Sequence, residues 1–249
     1  MVLGTSLVVF QGLPALESTE EQQISENSRN AVLLIQDRIG EMVQRDVPRR
    51  EVSINVQDLT VGVGGMEPTQ VSIEATNSSG STVPIADVET DPVYIETTVR
   101  TFDQSVAYEN GAVVFGQRDV PESWTMTSRP SWAITTNKTT DEVRSVFLRT
   151  VSTKGSGSVT GQATSARLVF EKVSSEIDSH DDVDELELSV ESPRSGSWRG
   201  YFERLNASVA GGEVTSSGDE VTLVFDEFAG GEGSVTHRTQ VISVEVTSR

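Results

Sequence analysis

The sequence predicts an α+β protein in which a long N-terminal α-helix is followed by a β-rich head. The head is expected to be mostly antiparallel, a sandwich or curled sheet with one short inserted helix. Three observations lead there. The first sixteen residues, MVLGTSLVVFQGLPAL, carry no charge. The following stretch repeats its apolar side chains at helical spacing until Val47-Pro48. Beyond Pro48 come short alternating runs of Val, Ile, Leu and Thr, cut by Gly, Asn and Ser turns. The predicted division is 1–16 as an apolar membrane or filament-core segment, 17–47 as an amphipathic helical stem, and 50–249 as an extracellular β-rich head.

Sixteen residues at the helical rise cover about 24 Å, less than a hydrocarbon core of about 30 Å. No basic residue precedes them and no small-residue cleavage pattern follows, so a secretory signal peptide fits badly. Three readings stand: the end of a longer membrane helix begun upstream of Met1, an apolar tip packed against its copies, or a buried N-terminal strand around Leu7-Val8-Val9-Phe10. Pro14 kinks or ends any helix there. Ser18-Thr19-Glu20-Glu21 has capping-box spacing, so a helix can start afresh. Ile24, Ala31, Ile35, Ile39 and Met42 then form one apolar stripe. Ala31 to Ile35 is apolar on every side and asks for cover from more than one direction, either from the protein's own sheet and a neighbouring subunit or from one sheet and a loop. Val47-Pro48 closes the helix, because proline disfavours helical dihedrals in the residue before it.

In the body, Glu51 to Val63 alternates as one half-buried strand with an irregularity near Asp58. Strands are also expected at 70–75, 94–102, 105–108, 112–115, 124–127, 131–135, 143–151, 166–173, 185–190, 213–215, 221–225 and 241–246. Asn110-Gly111 between two apolar runs is a strong hairpin signal. Trp198, Tyr201, Phe202 and Leu205 sit at i, i+3, i+4 and i+7, one face of a short helix that plugs the core.

Composition excludes several functions. The chain of 249 residues has no cysteine, so disulfides and thiolate metal sites are ruled out. With 38 acidic against 19 basic residues the net charge is −19, which disfavours nucleic acid and anionic membranes. Sixteen of the basic residues are arginines, and Lys138, Lys154 and Lys172 are the lysines. Such an acidic, lysine-poor surface suits concentrated salt, where screening falls to about 3 Å at molar strength.

The apolar segment with a proline, the amphipathic stem and the β head together resemble an archaeal type IV pilin-like plan. Tyr108-Glu109-Asn110-Gly111-Ala112-Val113-Val114, Arg129-Pro130-Ser131-Trp132 and Ser197-Trp198-Arg199-Gly200-Tyr201-Phe202-Glu203 are similar to pilin-like surface proteins of haloarchaea, of uncharacterised function. The resemblance implies a structural cell-surface protein, membrane-anchored or assembled through its N-terminal helix. Its partners would be other pilin-like subunits or membrane lipid, with a homo-oligomer allowed. Such proteins carry a basic and a small residue at a peptidase site before the apolar segment, and the sequence begins within that segment.

No residue pattern points to an enzyme, a cofactor or a metal. His180 and His237 are far apart and lack a nucleophile partner. The run from Glu176 to Glu185 is dense in carboxylates without the spacing of a calcium loop, and reads as a solvated acidic loop. Asn77, Asn137 and Asn206 head Asn-x-Ser/Thr sequons and are candidate glycosylation sites; Asn77 and Asn137 fall in predicted loops. The alternative function is a membrane-tethered extracytoplasmic module that binds a ligand or glycan. Exposed aromatic side chains on the head would favour binding; exposed apolar surface along the stem would favour assembly.

With a net charge of −19, self-repulsion should weaken the compact state as salt is withdrawn. Circular dichroism melts in molar salt and in about 0.1 M salt should show a higher midpoint in the former. Equal midpoints would remove the case for a salt-adapted surface.

Overall fold

The structure is a computed structural model that describes residues 26–97, 104–137, 142–161, 163–209, 212–226, 228 and 233–248. In chain order its elements are α1 (26–45), β1 (Arg49–Asn55), β2 (Leu59–Val63), β3 (Thr69–Asn77), β4 (Thr82–Thr90), β5 (Val93–Thr97), β6 (Ser105–Glu109), β7 (Ala112–Gln117) and β8 (Val120–Ser128). They continue with β9 (Ala133–Thr136), β10 (Val143–Gly155), β11 (Gly157–Thr160), β12 (Ser165–Glu191), α2 (Ser195–Asn206), β13 (Gly212–Ser217), β14 (Glu220–Phe225) and β15 (Gly233–Ser248). One sheet of nine strands follows the path β13-β14-β12-β15-β10-β9, with β1 and β3 also paired to β12 and β4 to β3. The second, of six strands, runs β11-β2-β5-β6-β7-β8. Every pairing between these strands is antiparallel except β10 with β15.

Helix α1 lies flat on the protein. Val32, Ile35, Ile39, Met42 and Val43 recur at steps of one, three and four, and all are buried. They meet Val52 and Ile54 of β1, Leu168 and Phe170 of β12, Ile242 and Val244 of β15, and Val61, Ile95 and Val106 of the smaller sheet. Arg29, Asp37 and Arg45 point to solvent, and Arg38 and Glu41 pair at 3.1 Å on the outer side. Of the expected Ala31–Ile35 patch, Val32 and Ile35 are covered, Ala31 and Leu33 half-covered, and Leu34 is 39% exposed.

These facts correct two expectations. The architecture is not a long N-terminal helix carrying a head but two β-sheets dominated by strands, with a charged, one-sided helix at 26–45 laid against them. Among the described residues no helix is long and apolar enough to cross a membrane, so a cell-surface location by membrane anchoring through such a helix is not supported. The reason is in the stripe. A helix with one apolar side and one charged side is suited to the edge of a core, whereas a spanning helix must be apolar to lipid all round. The apolar segment 1–16, Pro14, the Ser18–Glu21 capping box and Ile24 lie outside the described residues.

The strands differ from the expected set in instructive ways. Glu51 to Val63 is two strands, because Asp58 takes a left-handed conformation (φ 59°) that breaks the run. The break carries the chain from one sheet to the other: β1 pairs β12, and β2 pairs β5 and β11. Strand β4, interrupted by Pro84 and charged residues, has little apolar alternation to announce it. The expected strands 166–173 and 185–190 and the acidic run between them form one 27-residue strand, β12. The acidic stretch is a strand rather than a loop because Ile177 to Asp181 pair in register with Arg238 to Ser234 of β15.

The large sheet buries opposite faces at its two ends. Along β10, Val146 and Leu148 belong to one core and Val151 to another; along β15, Val235 belongs to the first and Ile242 and Val244 to the second. Odd and even positions of a strand face opposite ways, so these cores lie on opposite sides of the same strands. The α1 core fills the angle between the sheets. The α2 core joins Trp198, Tyr201 and Phe202 to Val71, Ile73, Leu188, Leu223 and Phe225. Trp132 stacks on Phe202 with ring centroids 6.0 Å apart, so the expected aromatic plug is present. A third cluster, Met66, Tyr94, Ala107, Val114 and Trp124, covers the other face of the small sheet.

Ile39 is 1% exposed against both sheets, so Ile39→Ala should lower unfolding free energy by about 2–5 kcal/mol, while Leu34→Ala should change it by roughly 0.5 kcal/mol or less. Urea titrations of the two variants check the contrast. Equal effects would mean that α1 is not anchored on this stripe.

Candidate functional site

The polar centre of the molecule is built on the β6–β7 hairpin. Asn110 (φ 44°) and Gly111 (φ 85°) are both left-handed, as the type I′ turn requires, and Asn-Gly is the pair that tolerates it. The turn aims two polar side chains inward. Asn110 is fully buried, and its Oδ1 accepts the Val151 N–H at 2.9 Å, joining the small sheet to β10 of the large one. Glu109 is also fully buried. Its Oε2 accepts from the Arg194 guanidinium and from the Thr69 hydroxyl (2.8 Å), and its Oε1 accepts the Trp198 indole N–H (2.7 Å). Arg194 Nη2 also donates to the Glu67 carbonyl at 2.9 Å and to Thr69 Oγ1 at 3.0 Å.

One carboxylate thus ties together β6, the start of β3, Arg194 between β12 and α2, and the first turn of α2. Both partners are shielded, Glu109 at 0% and Arg194 at 3% side-chain exposure. Glu109 accepts three donors, the arrangement a buried charge needs. A small cavity of about 210 Å³ beside Met66, Trp124 and Pro193 reaches Arg194, whose guanidinium lies 5.9 Å over the Trp124 ring. This network holds the fold together. Its charges are consumed by each other.

The accessible site is a cleft of about 430 Å³ between α1 and the turns that follow β6 and β8. Gln36 on α1 donates to the Gly111 carbonyl at 3.2 Å and to Ser128 Oγ at 2.7 Å, fixing the helix across the cleft. Arg45 at the end of α1, Arg129 after β8 and Arg149 on β10 line it. Two carboxylates also line it, and both are engaged. Asp37 lies 3.9 Å from Arg38; Glu41 pairs with Arg38 at 3.1 Å and Arg50 at 2.7 Å. The hydrogen bond from Arg50 is the main reason the Glu41 carboxyl is held below its usual range. Burial, followed by the charge of Arg238, lowers the Arg149 guanidinium, and its Nε is buried without a hydrogen-bond partner.

The histidines are closer in space than in sequence. His237 on β15 faces Asp178 and lies near His180 on β12, and its Nε2 is 2.9 Å from Thr150 Oγ1. Burial holds His237 below the ordinary imidazole range, against the opposing pull of Asp178. Thr150, the hydroxyl partner of this imidazole, is fully buried. Burial also pushes the Tyr201 phenol up to about 12 and that of Tyr108 higher still. Among the described residues no three His, Asp or Glu converge as metal ligands. On β12 successive carboxylates point to opposite faces, which separates those of the acidic run.

The sequons are spread over the molecule. Asn77 ends β3, and its Oδ1 accepts the N–H groups of Ser79 (3.1 Å) and Ser81 (2.9 Å), closing the turn it stands in. Asn137 follows β9 with its N–H on the Glu142 carbonyl at 2.8 Å; the Lys138-Thr139 of its sequon lies outside the described residues. Asn206 ends α2, packed where any side chain on Gly212 would collide with its Oδ1. None of the three borders the cleft. The sequence reading missed Glu109–Arg194 and the arginine cleft. The available signal was an acidic residue ending the apolar run Ser-Val-Ala-Tyr-Glu, just ahead of the Asn-Gly turn.

Fold and site together define a two-sheet β protein stapled by a buried ion pair, with an arginine-lined cleft under its helix. The chain belongs to a family of unknown function (DUF7289), matched over residues 1–247. No curated protein and no solved structure matches it.

Glu109→Ala leaves the Arg194 guanidinium buried and uncompensated, and should cost about 3–5 kcal/mol of stability. Converting the pair together, Glu109→Leu with Arg194→Met, should recover most of that loss. Denaturant unfolding of both variants tests the assignment; a Glu109→Ala cost below about 1 kcal/mol would contradict it.

Proposed function

We propose that this protein is a structural subunit, pilin-like in plan, that acts by assembling with other subunits of its kind and carries out no catalysis. The observation that carries the reading is where its apolar and aromatic side chains lie. The described aromatic residues are all buried or half-buried, so among the described residues the head offers no stacking platform for a sugar or other flat ligand. The large apolar residues exposed on its surface are aliphatic and sit on a helix or on strands. Leu34 is on α1, and Val173 and Ile177 are on β12 at 65% and 61% exposure.

The sequence supports the same reading. Val2, Leu3, Leu7, Val8, Val9 and Phe10 lie in an uncharged segment, and full burial of each such side chain is worth on the order of 1.5–3 kcal/mol. Equivalent segments of neighbouring subunits supply that cover in an assembly. A salt-adapted acidic surface keeps the bodies apart and soluble while the apolar segments associate.

Full-length protein in molar salt should self-associate in light scattering. Leu7→Asp with Val9→Asp should shift it to monomer while leaving its circular dichroism melt cooperative. A monodisperse monomer for the unsubstituted chain would reject assembly through this segment.

A further inference from the structure

The cleft under α1 has more positive charge than the protein itself can use. Arg45, Arg129 and Arg149 line it, and none of the three is in an ion pair among the described residues. Elsewhere Arg49 pairs with Glu171 at 2.8 Å, Arg50 with Glu41 at 2.7 Å, Arg118 with Glu96 at 2.9 Å, and Arg167 with Glu51, while Arg29, Arg144, Arg199 and Arg204, in no ion pair among the described residues, lie outside this cleft. In a chain with twice as many acidic as basic residues, three unpaired guanidiniums at one cleft is a specific placement.

Arg149 is the most telling. It stands on β10 directly beside Arg238 of β15, on the face of the sheet that α1 covers. Asp46 lies 3.8 Å from Arg238 and is shared with Lys172 at 2.6 Å, which leaves Arg149 with no carboxylate of its own. Its guanidinium rests 5.4 Å over the Phe147 ring, and its Nε is buried with no acceptor. A buried donor without an acceptor costs stability, and Arg149 lines the cleft without a carboxylate partner among the described residues. An oxyanion with two acceptor atoms matches the guanidinium fork.

We propose that this cleft is a binding site for an acidic peptide segment, whose carboxylates pair with Arg149 and Arg129. The proposal rests on the assembly reading and deepens it, because a neighbouring copy of this chain presents such segments. The run from Glu176 to Glu185 on β12 is the densest of them. It is exposed over most of its length, and as far as Asp182 it pairs with β15 alone among the described residues. Val183 pairs β15 on one side and β3 on the other, and Phe170 pairs β15 and β1 likewise. Between β1 and β3, therefore, residues 173–182 have an open edge among the described residues. The cleft, at about 430 Å³, accommodates several side chains of an extended segment.

The test uses the full chain and a fluorescent peptide of residues 174–187. Anisotropy is read in about 0.5 M salt, where screening reduces the overall repulsion between two acidic partners to roughly 4 Å. Saturable binding is expected, weakened about tenfold by Arg149→Gln and by Arg129→Gln and lost in the double variant. Arg129 is exposed, so its variant reports on the site even if Arg149→Gln disturbs folding. Equal binding by the peptide with its Asp and Glu changed to Asn and Gln would overturn the proposal. So would undiminished binding by the Arg129 variant. Inorganic sulfate binding as tightly as the peptide would mark a small-anion site and overturn the peptide assignment. Because the peptide is added in trans, binding without self-association would count against the assembly reading alone. Self-association without peptide binding would count against this site alone.

Discussion

Three strands, β10, β12 and β15, have to serve two cores that lie on opposite faces of one sheet, and much else follows from that constraint. At the α1 end the inner face is the one carrying Val151, Phe170 and Val244; at the α2 end it is the one carrying Val146, Leu148 and Val235. Where burial passes from one face to the other, the strands carry polar residues, some of them, such as Thr150, His237 and Gln240, buried. That is where β12 holds its acidic run and where β15 holds His237 and Arg238. Bulges near Lys172 and Asp181 adjust β12 on either side of this crossing. The acidic stretch is therefore a consequence of the sheet's geometry as well as a contributor to the surface charge.

A sheet covered on opposite faces at its two ends needs something to fix the covering layers relative to one another. The β6–β7 hairpin does so with two adjacent side chains. Asn110 reaches β10 in the large sheet, and Glu109 reaches Arg194, Thr69 and Trp198. Hydrophobic contact alone would tolerate sliding between the layers, since apolar area is nearly indifferent to direction. A buried ion pair with directional donors is not indifferent, and its value lies in specifying one arrangement more than in adding net stability. Gln36 extends the same hairpin's reach to α1 through the Gly111 carbonyl, so one turn orients both the helix and the second sheet.

The helical stripe, the Asn-Gly hairpin and the aromatic face of α2 were legible in the sequence because each is a local pattern whose period matches its own structure. Ile35, Ile39 and Met42 are buried as that period requires. What the sequence concealed is non-local. Continuity of β12 through the acidic run depends on β15, some sixty residues later, and no local apolar alternation announces it. The sheet change at Asp58 depends on a single left-handed residue inside an otherwise regular alternation. The uncharged segment 1–16 ahead of an amphipathic stem predicts a protein organised around a long N-terminal helix, whereas the described helix is organised by the body it covers. The candidate site was less legible still. Arg45, Arg129 and Arg149 come from three separate elements, and Glu109 and Arg194 are 85 residues apart.

Charge distribution connects the fold to the assembly reading. A strongly acidic body is repelled by its copies at long range, and concentrated salt shortens that repulsion without abolishing contacts made at hydrogen-bonding distance. Under those conditions, association is decided by apolar cover and by direct guanidinium–carboxylate pairs, both of which act over a few ångströms. The protein places unpaired arginines in a recess under α1, and it displays carboxylates on an open strand edge. The two carboxylates that share the recess, Asp37 and Glu41, are turned to Arg38 and Arg50. An edge strand rich in carboxylates is also guarded against indiscriminate pairing, since two such edges brought together repel across the ladder. The acidic edge therefore disfavours its own copy as a strand partner, and the arginine cleft is its complementary surface on the same chain.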